Sequence, residues 1–242
     1  VLELTRMGGG FGRRLYGDFV LEAAEISNKA KKPIKLIYSR EDDMTAGIFR
    51  PAIKYKISAS LKDGKITGYK LKEAAINSNM YGLIPHFFPA GAIANLRIES
   101  ANYQSNITTG AWRAPYTNFL AFAEQSFFDE VAESLNQDAV QLRLDLLDNV
   151  VDGADERIQY SASRMKEVVA ADKGNWGSSS EGVYKGFSAY YSHNTHVAEV
   201  AEIRMQNGIP KVSRVTAAVD CGIVVNPTGA NNQVVGGVLD GI

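Results

Sequence analysis

Met7-Gly8-Gly9-Gly10-Phe11-Gly12-Arg13-Arg14 is the stretch from which the rest of the chain is read. Three successive glycines weaken any helix or strand that holds them. What they offer is a backbone free to take positive φ and to come close to a ligand. On one side, Val1 to Arg6 has the β-branched and apolar content of a strand. On the other, Tyr16 to Lys32 shows a helical period through Phe19, Val20, Ala23, Ala24 and Ile26. Strand, glycine loop and helix start together predict an anion cradle, because exposed N–H groups and the positive helix end converge. Arg13 and Arg14 add fixed positive charge, which suits a phosphorylated cofactor. The plainer reading is a glycine turn that links strand to helix. Neither common nucleotide loop fits. A P-loop needs Gly-Lys-Ser/Thr where Gly12 is followed by two arginines, and GxGxxG needs a glycine where Arg13 or Leu15 stands.

Composition narrows the classes further. A chain of 242 residues can bury a substantial core, and 45% hydrophobic with 22% charged residues is ordinary for a globular protein. The net charge of −1, from 26 basic and 27 acidic residues, sets up no bulk field for nucleic acid. No apolar run approaches the roughly 20 residues of a membrane span. A single cysteine, Cys221, excludes an internal disulfide and any four-thiolate cluster held by this chain alone. His193 and His196, three apart in strand-like sequence, face opposite ways, so neither they nor His86 predict a metal site. The absence of an initial Met and the stop at Gly241-Ile242 inside a helical pattern read as a piece of a longer polypeptide.

Outward from the loop, Ile34 to Tyr38 reads as a buried strand and Ser39 to Asp43 as a polar turn. Ile53 to Leu61 and Ile66 to Ile76 flank the hairpin signal Asp63-Gly64. Asn77 to Ala94 is irregular and aromatic-rich (Tyr81, Phe87, Phe88). Gly110-Ala111-Trp112-Arg113-Ala114-Pro115 then precedes a helix from Phe119 to Leu135, capped by Thr117 or Asn118. Its apolar face is Phe119, Phe122, Ala123, Phe127, Val131 and Leu135. Arg113, beside Trp112 and just before that helix, suits a substrate oxygen or phosphate; locally, a simple ion pair explains it as well. Glu124, Asp129, Glu130 and Glu133 read as a solvated face.

Asp138 opens a second helix to Leu147, and the polar run Asn149 to Ser163 is a candidate domain boundary. A short helix from Arg164 to Asp172 ends at Gly174, and Asn175 to Gly182 is a loop. Strands follow at Gly186 to Tyr191, Val197 to Met205 and Val212 to Val219, the last two joined by Asn207-Gly208. Asn226 caps a final helix with Pro227 first. On it Gly229, Gln233 and Gly237 are four apart with Gly236 alongside, one smooth face bearing a single amide. Helix packing on small residues is the competing explanation.

Taken in order, Gly8 to Arg14, Gly110 to Pro115, and Val219-Asp220-Cys221-Gly222 through Asn226-Pro227 to Gln233-Val234-Val235-Gly236-Gly237 resemble the molybdopterin-binding large subunit of the xanthine dehydrogenase/aldehyde oxidase family. Arg13-Arg14 with Asp18-Phe19-Val20 and Arg40-Glu41-Asp42-Asp43 is similar to its isoquinoline 1-oxidoreductase β-subunit branch. The resemblance implies a molybdenum–molybdopterin cofactor, in bacterial members usually the cytosine dinucleotide form. It implies hydroxylation of an aldehyde or N-heterocycle with water as oxygen source and a glutamate as base. Electrons leave through [2Fe–2S] clusters on a small iron–sulfur subunit. By that resemblance, Gly9, Gly10, Phe11, Gly12 and Arg13 would contact the cofactor, as would Gln233, Gly236 and Gly237. Arg113 would match the family's catalytic-site arginine, and the resemblance implies no side chain here as a metal ligand. Arg14 and Leu15 replace the Lys/Glu pair of the xanthine-type enzymes, so purine is not implied. The family glutamate lies nearer the C-terminus than Gln233, beyond Ile242.

The fold expected is α+β, a molybdenum-hydroxylase molybdopterin-binding domain in two mixed subdomains, 1–150 and 151–242. A cofactor-free scaffold of the same fold and a nicotinamide-dependent dehydrogenase are the alternatives. The sequence does not separate a cytoplasmic from a periplasmic setting.

Overall fold

In the computed structural model, residues 2–77, 85–115, 117–177 and 179–242 are described. The expectations for Val1, for 78–84 with Tyr81, and for Ser178 lie outside them. Helices and two three-stranded sheets give the α+β class. In order, they are α1 (Asp18–Ala30), α2 (Arg40–Thr45), β1 (Ile53–Lys62), β2 (Lys65–Ile76), β3 (Asn95–Tyr103), α3 (Asn118–Ser134), α4 (Ala139–Leu147), α5 (Ala162–Trp176), β4 (Val183–Ser192), β5 (Thr195–Gln206), β6 (Ile209–Asp220) and α6 (Pro227–Gly241). The sheets run β1-β2-β3 and β4-β5-β6. Two compact units form. The first holds Val1–Lys54, Glu73–Leu83 and Ser100–Asn118; the second holds Tyr55–Lys72, Ile84–Glu99 and Phe119–Ile242.

The second unit carries the apolar core. Strands β4, β5 and β6 are antiparallel, with Phe187 opposite Val200 and Val200 opposite Thr216. Helix α5 packs across β5 and β6. Tyr69, Phe88 and Phe128 cluster, with ring centroids 6.0 Å apart for Tyr69–Phe128 and 5.4 Å for Phe88–Phe128. Both expected two-residue turns form, Asp63-Gly64 at φ 51° and 71° and Asn207-Gly208 at 53° and 78°. His193-Asn194, also at positive φ, makes a third between β4 and β5. The caps act as read: Asp138 accepts from Gln141 N–H at 2.8 Å, and Asn226 from Gly229 N–H at 3.0 Å.

Several local expectations are corrected. Residues 2–6 and 34–38 form no strand, since among the described residues neither segment finds a ladder partner, and propensity without pairing makes no strand. Ser39 to Asp43 is no turn: Ser39 caps α2 in a reciprocal capping box with Asp42. Strand β3 is an addition to the elements expected. Helix α5 runs through Gly174 to Trp176 because packing on the sheet outweighs the cost of one glycine. On α3 the buried face is Leu120, Glu124, Gln125, Phe128, Val131 and Ala132, while Phe122 is 77% exposed.

Glu124 is therefore not solvated. Its carboxylate accepts from Tyr69 Oη at 2.9 Å and from Tyr190 Oη at 2.8 Å, and burial pushes its pKa up to about 7 against those two bonds. Beside it, buried Arg143 of α4 donates to Gln125 Oε1, Gln125 O, Ala139 O and Asp129, at 2.8–2.9 Å. Glu124 can face inward on α3 because both its oxygens find donors. Gln125 Oε1 accepts from Arg143 and from Ala189 N–H at 3.1 Å, while the buried Gln125 Nε2 finds no partner among the described residues.

Candidate functional site

The glycine loop lies in the first unit. Gly9 (φ 128°), Phe11 (φ 49°) and Gly12 (φ 95°) all take positive φ. The chain then closes into a 3-10 turn at Arg13–Leu15, with Arg14 N–H donating to Gly10 O and Leu15 N–H to Gly12 O. This turn, with Tyr16 and Gly17, separates the loop from α1, so the loop does not feed straight into that helix. The two arginines are held locally. Arg13 pairs with Asp18 in the first turn of α1, and Arg14 donates to Gly9 O at 2.9 Å.

The second motif seats against the first. A Cβ at Gly12 would lie 2.1 Å from Ala111 O and 2.8 Å from Trp112 Cα, so no side chain fits there. At Gly110 a Cβ would meet Ile48 Cγ2 at 2.5 Å and Tyr16 Oη at 2.7 Å. Phe49 and Thr109 form a parallel bridge, with Gly110 N–H donating to Phe49 O at 2.9 Å. The Arg113 guanidinium lies 5.5 Å from the centroid of the Phe11 ring. Gly9, Gly10, Phe11, Gly12, Arg13 and Arg113 are thus brought into one neighbourhood by contacts between segments about 100 residues apart.

Loop residues Gly8, Gly9, Gly10, Phe11, Arg13 and Arg14 line a recess of about 920 Å³, together with Phe19, Val20, Leu36 and Tyr38. A Cβ at Gly8 would meet nothing within 4 Å, so backbone is open to a ligand there. This is the cradle a large cofactor needs along one wall, and the residues present fit it. Gln233, Gly236 and Gly237 lie on α6 in the second unit. Gln233 and Gly237 are exposed and Gly236 is half-buried. Asp220, at the end of β6, takes both prongs of Arg164 at 2.6 and 2.7 Å, which holds its carboxyl far below the usual range. His196 is buried, its Nε2 accepting from Ser161 N–H at 3.1 Å, and burial, with Arg164 nearby, lowers its pKa. No cluster of three metal-ligating side chains occurs among the described residues.

Residues 1–146 match one molybdopterin cofactor-binding domain model and residues 108–242 a second. The chain belongs to the molybdopterin cofactor-binding family. It is 30% identical, over its whole length, to the beta subunit of isoquinoline 1-oxidoreductase from Brevundimonas diminuta, covering 32% of that protein. It is 26% identical, again over all of it, to the membrane-bound aldehyde dehydrogenase [pyrroloquinoline-quinone] of Gluconacetobacter polyoxogenes, covering 36%. With a nicotinate dehydrogenase subunit of Pseudomonas putida it shares 24% identity over 98% of its residues and 23% of that protein. The chain spans about a third or less of the length of these relatives. These matches bear out the resemblance to the large subunits of the xanthine dehydrogenase/aldehyde oxidase family.

Tyr16 and Arg50 escape a reading of the sequence. Tyr16 Oη accepts the Ala111 N–H at 2.7 Å, and Arg50 donates to Arg113 O at 2.6 Å. Neither sits in a glycine motif, so no signal in one sequence singles them out.

Proposed function

We propose that this chain is part of the catalytic large subunit of a molybdenum hydroxylase that oxidises an aldehyde or an N-heterocycle with oxygen from water. The observation that carries this reading is the seating of Gly12 on Ala111, which joins two of the three motifs on which the family resemblance rests. When bound, the cofactor supplies a two-electron redox metal centre. Gly9, Gly10, Phe11 and Gly12 would hold it along the loop, with Arg13 close by. Gln233, which both donates and accepts, and its neighbours Gly236 and Gly237 would contact it from α6. Arg113 would orient the substrate or stabilise negative charge as it develops. A fixed donor does this at no reorganisation cost. The catalytic base is a glutamate outside these residues, the cofactor is the cytosine dinucleotide form, and a small [2Fe–2S] subunit accepts the electrons. Supporting this, two of the relatives are named as subunits. We read the chain as two cofactor-binding subdomains, 1–150 and 151–242.

One relative is named for a quinone cofactor, which makes a quinone dehydrogenase the second reading. Elemental and acid-hydrolysis analysis of the full-length protein separates the two. Stoichiometric molybdenum with released CMP is expected, together with oxidation of benzaldehyde or isoquinoline by an artificial acceptor. A metal-free, quinone-dependent activity would overturn the proposal.

A further inference from the structure

We propose that Tyr16 and Arg50 are positioning residues, which clamp backbone 111–114 so that Arg113 projects from a fixed base; this rests on the reading of Arg113 as a site residue. The clamp has two ends. At one, the Tyr16 hydroxyl accepts the Ala111 N–H at 2.7 Å, and Gly110 leaves the room that hydroxyl occupies. At the other, the Arg50 guanidinium reaches two successive carbonyls, Arg113 O from Nη2 at 2.6 Å and Ala114 O from Nη1 at 3.4 Å. Its Cζ also lies 5.8 Å from the Trp112 ring centroid.

The turn needs holding. Ala114 sits at φ 55°, a conformation unfavourable for a non-glycine residue that persists only when its surroundings enforce it. A planar fork on the carbonyls of residues 113 and 114 is such an enforcement, and lysine, a point donor, cannot reproduce it. Ala111 is 3% exposed, so its N–H, without Tyr16, loses a partner that water does not readily replace. Between the two ends the one charged side chain is Arg113. Neither Tyr16 nor Arg50 lines the loop recess. They act on the site through the backbone that carries Arg113.

The test uses the full-length subunit with its partner. It compares Tyr16→Phe, Arg50→Met, Arg50→Lys and Arg113→Ala, each alone, and Arg50→Met combined with Arg113→Ala. In Tyr16→Phe and Arg50→Met, amide exchange over 111–114 is expected to quicken about tenfold, as for the loss of one hydrogen bond. Exchange in β4–β6 and molybdenum content should stay unchanged. With benzaldehyde and isoquinoline, kcat should fall roughly 10- to 100-fold at nearly constant KM, the scale of a small misplacement of a reacting group. Arg50→Lys should not rescue it. In the Arg113→Ala background, Arg50→Met should add less than about twofold, because coupled residues do not contribute independently. Unchanged exchange at 111–114, rescue by lysine, or additive kinetic losses would each overturn the proposal. Full turnover in Arg113→Ala would overturn the functional reading of Arg113, while the exchange measurement still decides whether the clamp exists.

Discussion

Among single residues, Gly12 and Gly8 make opposite demands. Gly12 combines φ 95° with a virtual Cβ 2.1 Å from a backbone carbonyl, so Gly12→Ala must move the loop or the 111–112 segment. Gly8 has open space and tolerates a methyl sterically. Gly12→Ala is expected to lower Tm by several degrees and strip the cofactor. Gly8→Ala should keep its Tm and lose molybdenum only if the cofactor approaches that backbone. Thermal unfolding with metal analysis of both variants checks this, and equal behaviour would refute it. From the sequence, the need for glycine is plain but its cause is not. The run Gly8-Gly9-Gly10-Phe11-Gly12 reads as ligand approach throughout, whereas at Gly12 the approaching group is the chain's own Ala111. A contact across about 100 residues leaves no mark in local pattern.

At the scale of elements, α3 shows how a periodicity can name the helix and miss its face. The aromatic spacing selects Phe119, Phe122 and Phe127, yet the helix buries Glu124 and Gln125, whose partners Tyr69, Tyr190 and Arg143 come from β2, β4 and α4. Polar residues count as outward-facing until their partners are known. The burial of Glu124 has a pH signature. Its folded pKa, about 7, stands above the ordinary 4.5, so the folded state binds the extra proton between those values. Its stabilising contribution is complete below about pH 4.5 and is lost as pH rises through 7. Two and a half units correspond to roughly 3 kcal/mol at most. Urea midpoints measured from pH 5 to 8 should fall for the native protein and flatten in Glu124→Gln, which keeps the shape without the titration. An equal slope in both would assign the titration elsewhere.

Across the whole molecule, the two units are built differently. Among the described residues of the first, only Pro51, Glu73, Ala75, Gly110, Ala111 and Thr117 are buried, and α1 buries none. The second holds Phe88, Phe128, Val140, Leu147, Val169, Ala198 and Val200 at 6% exposure or less. Native-state hydrogen exchange should accordingly show β4–β6 opening only with global unfolding, and residues 13–50 opening at much lower free energy. Uniform protection would contradict this. The same contrast explains what a sequence reading delivers. Hairpins with two-residue turns are fixed locally, and the sequence places β1, β2, β5 and β6 within two or three residues. The segments 2–6 and 34–38 have strand composition, but their state depends on a neighbour.

A region stitched by hydrogen bonds rather than by a greasy interior can part and close again with little apolar surface newly shown to water. Leu2, Leu4, Leu15, Leu21, Ile37 and Met44 already stand 65% or more exposed there, so opening adds little to what water meets. The thin packing around the glycine loop thus marks where the fold would give way first.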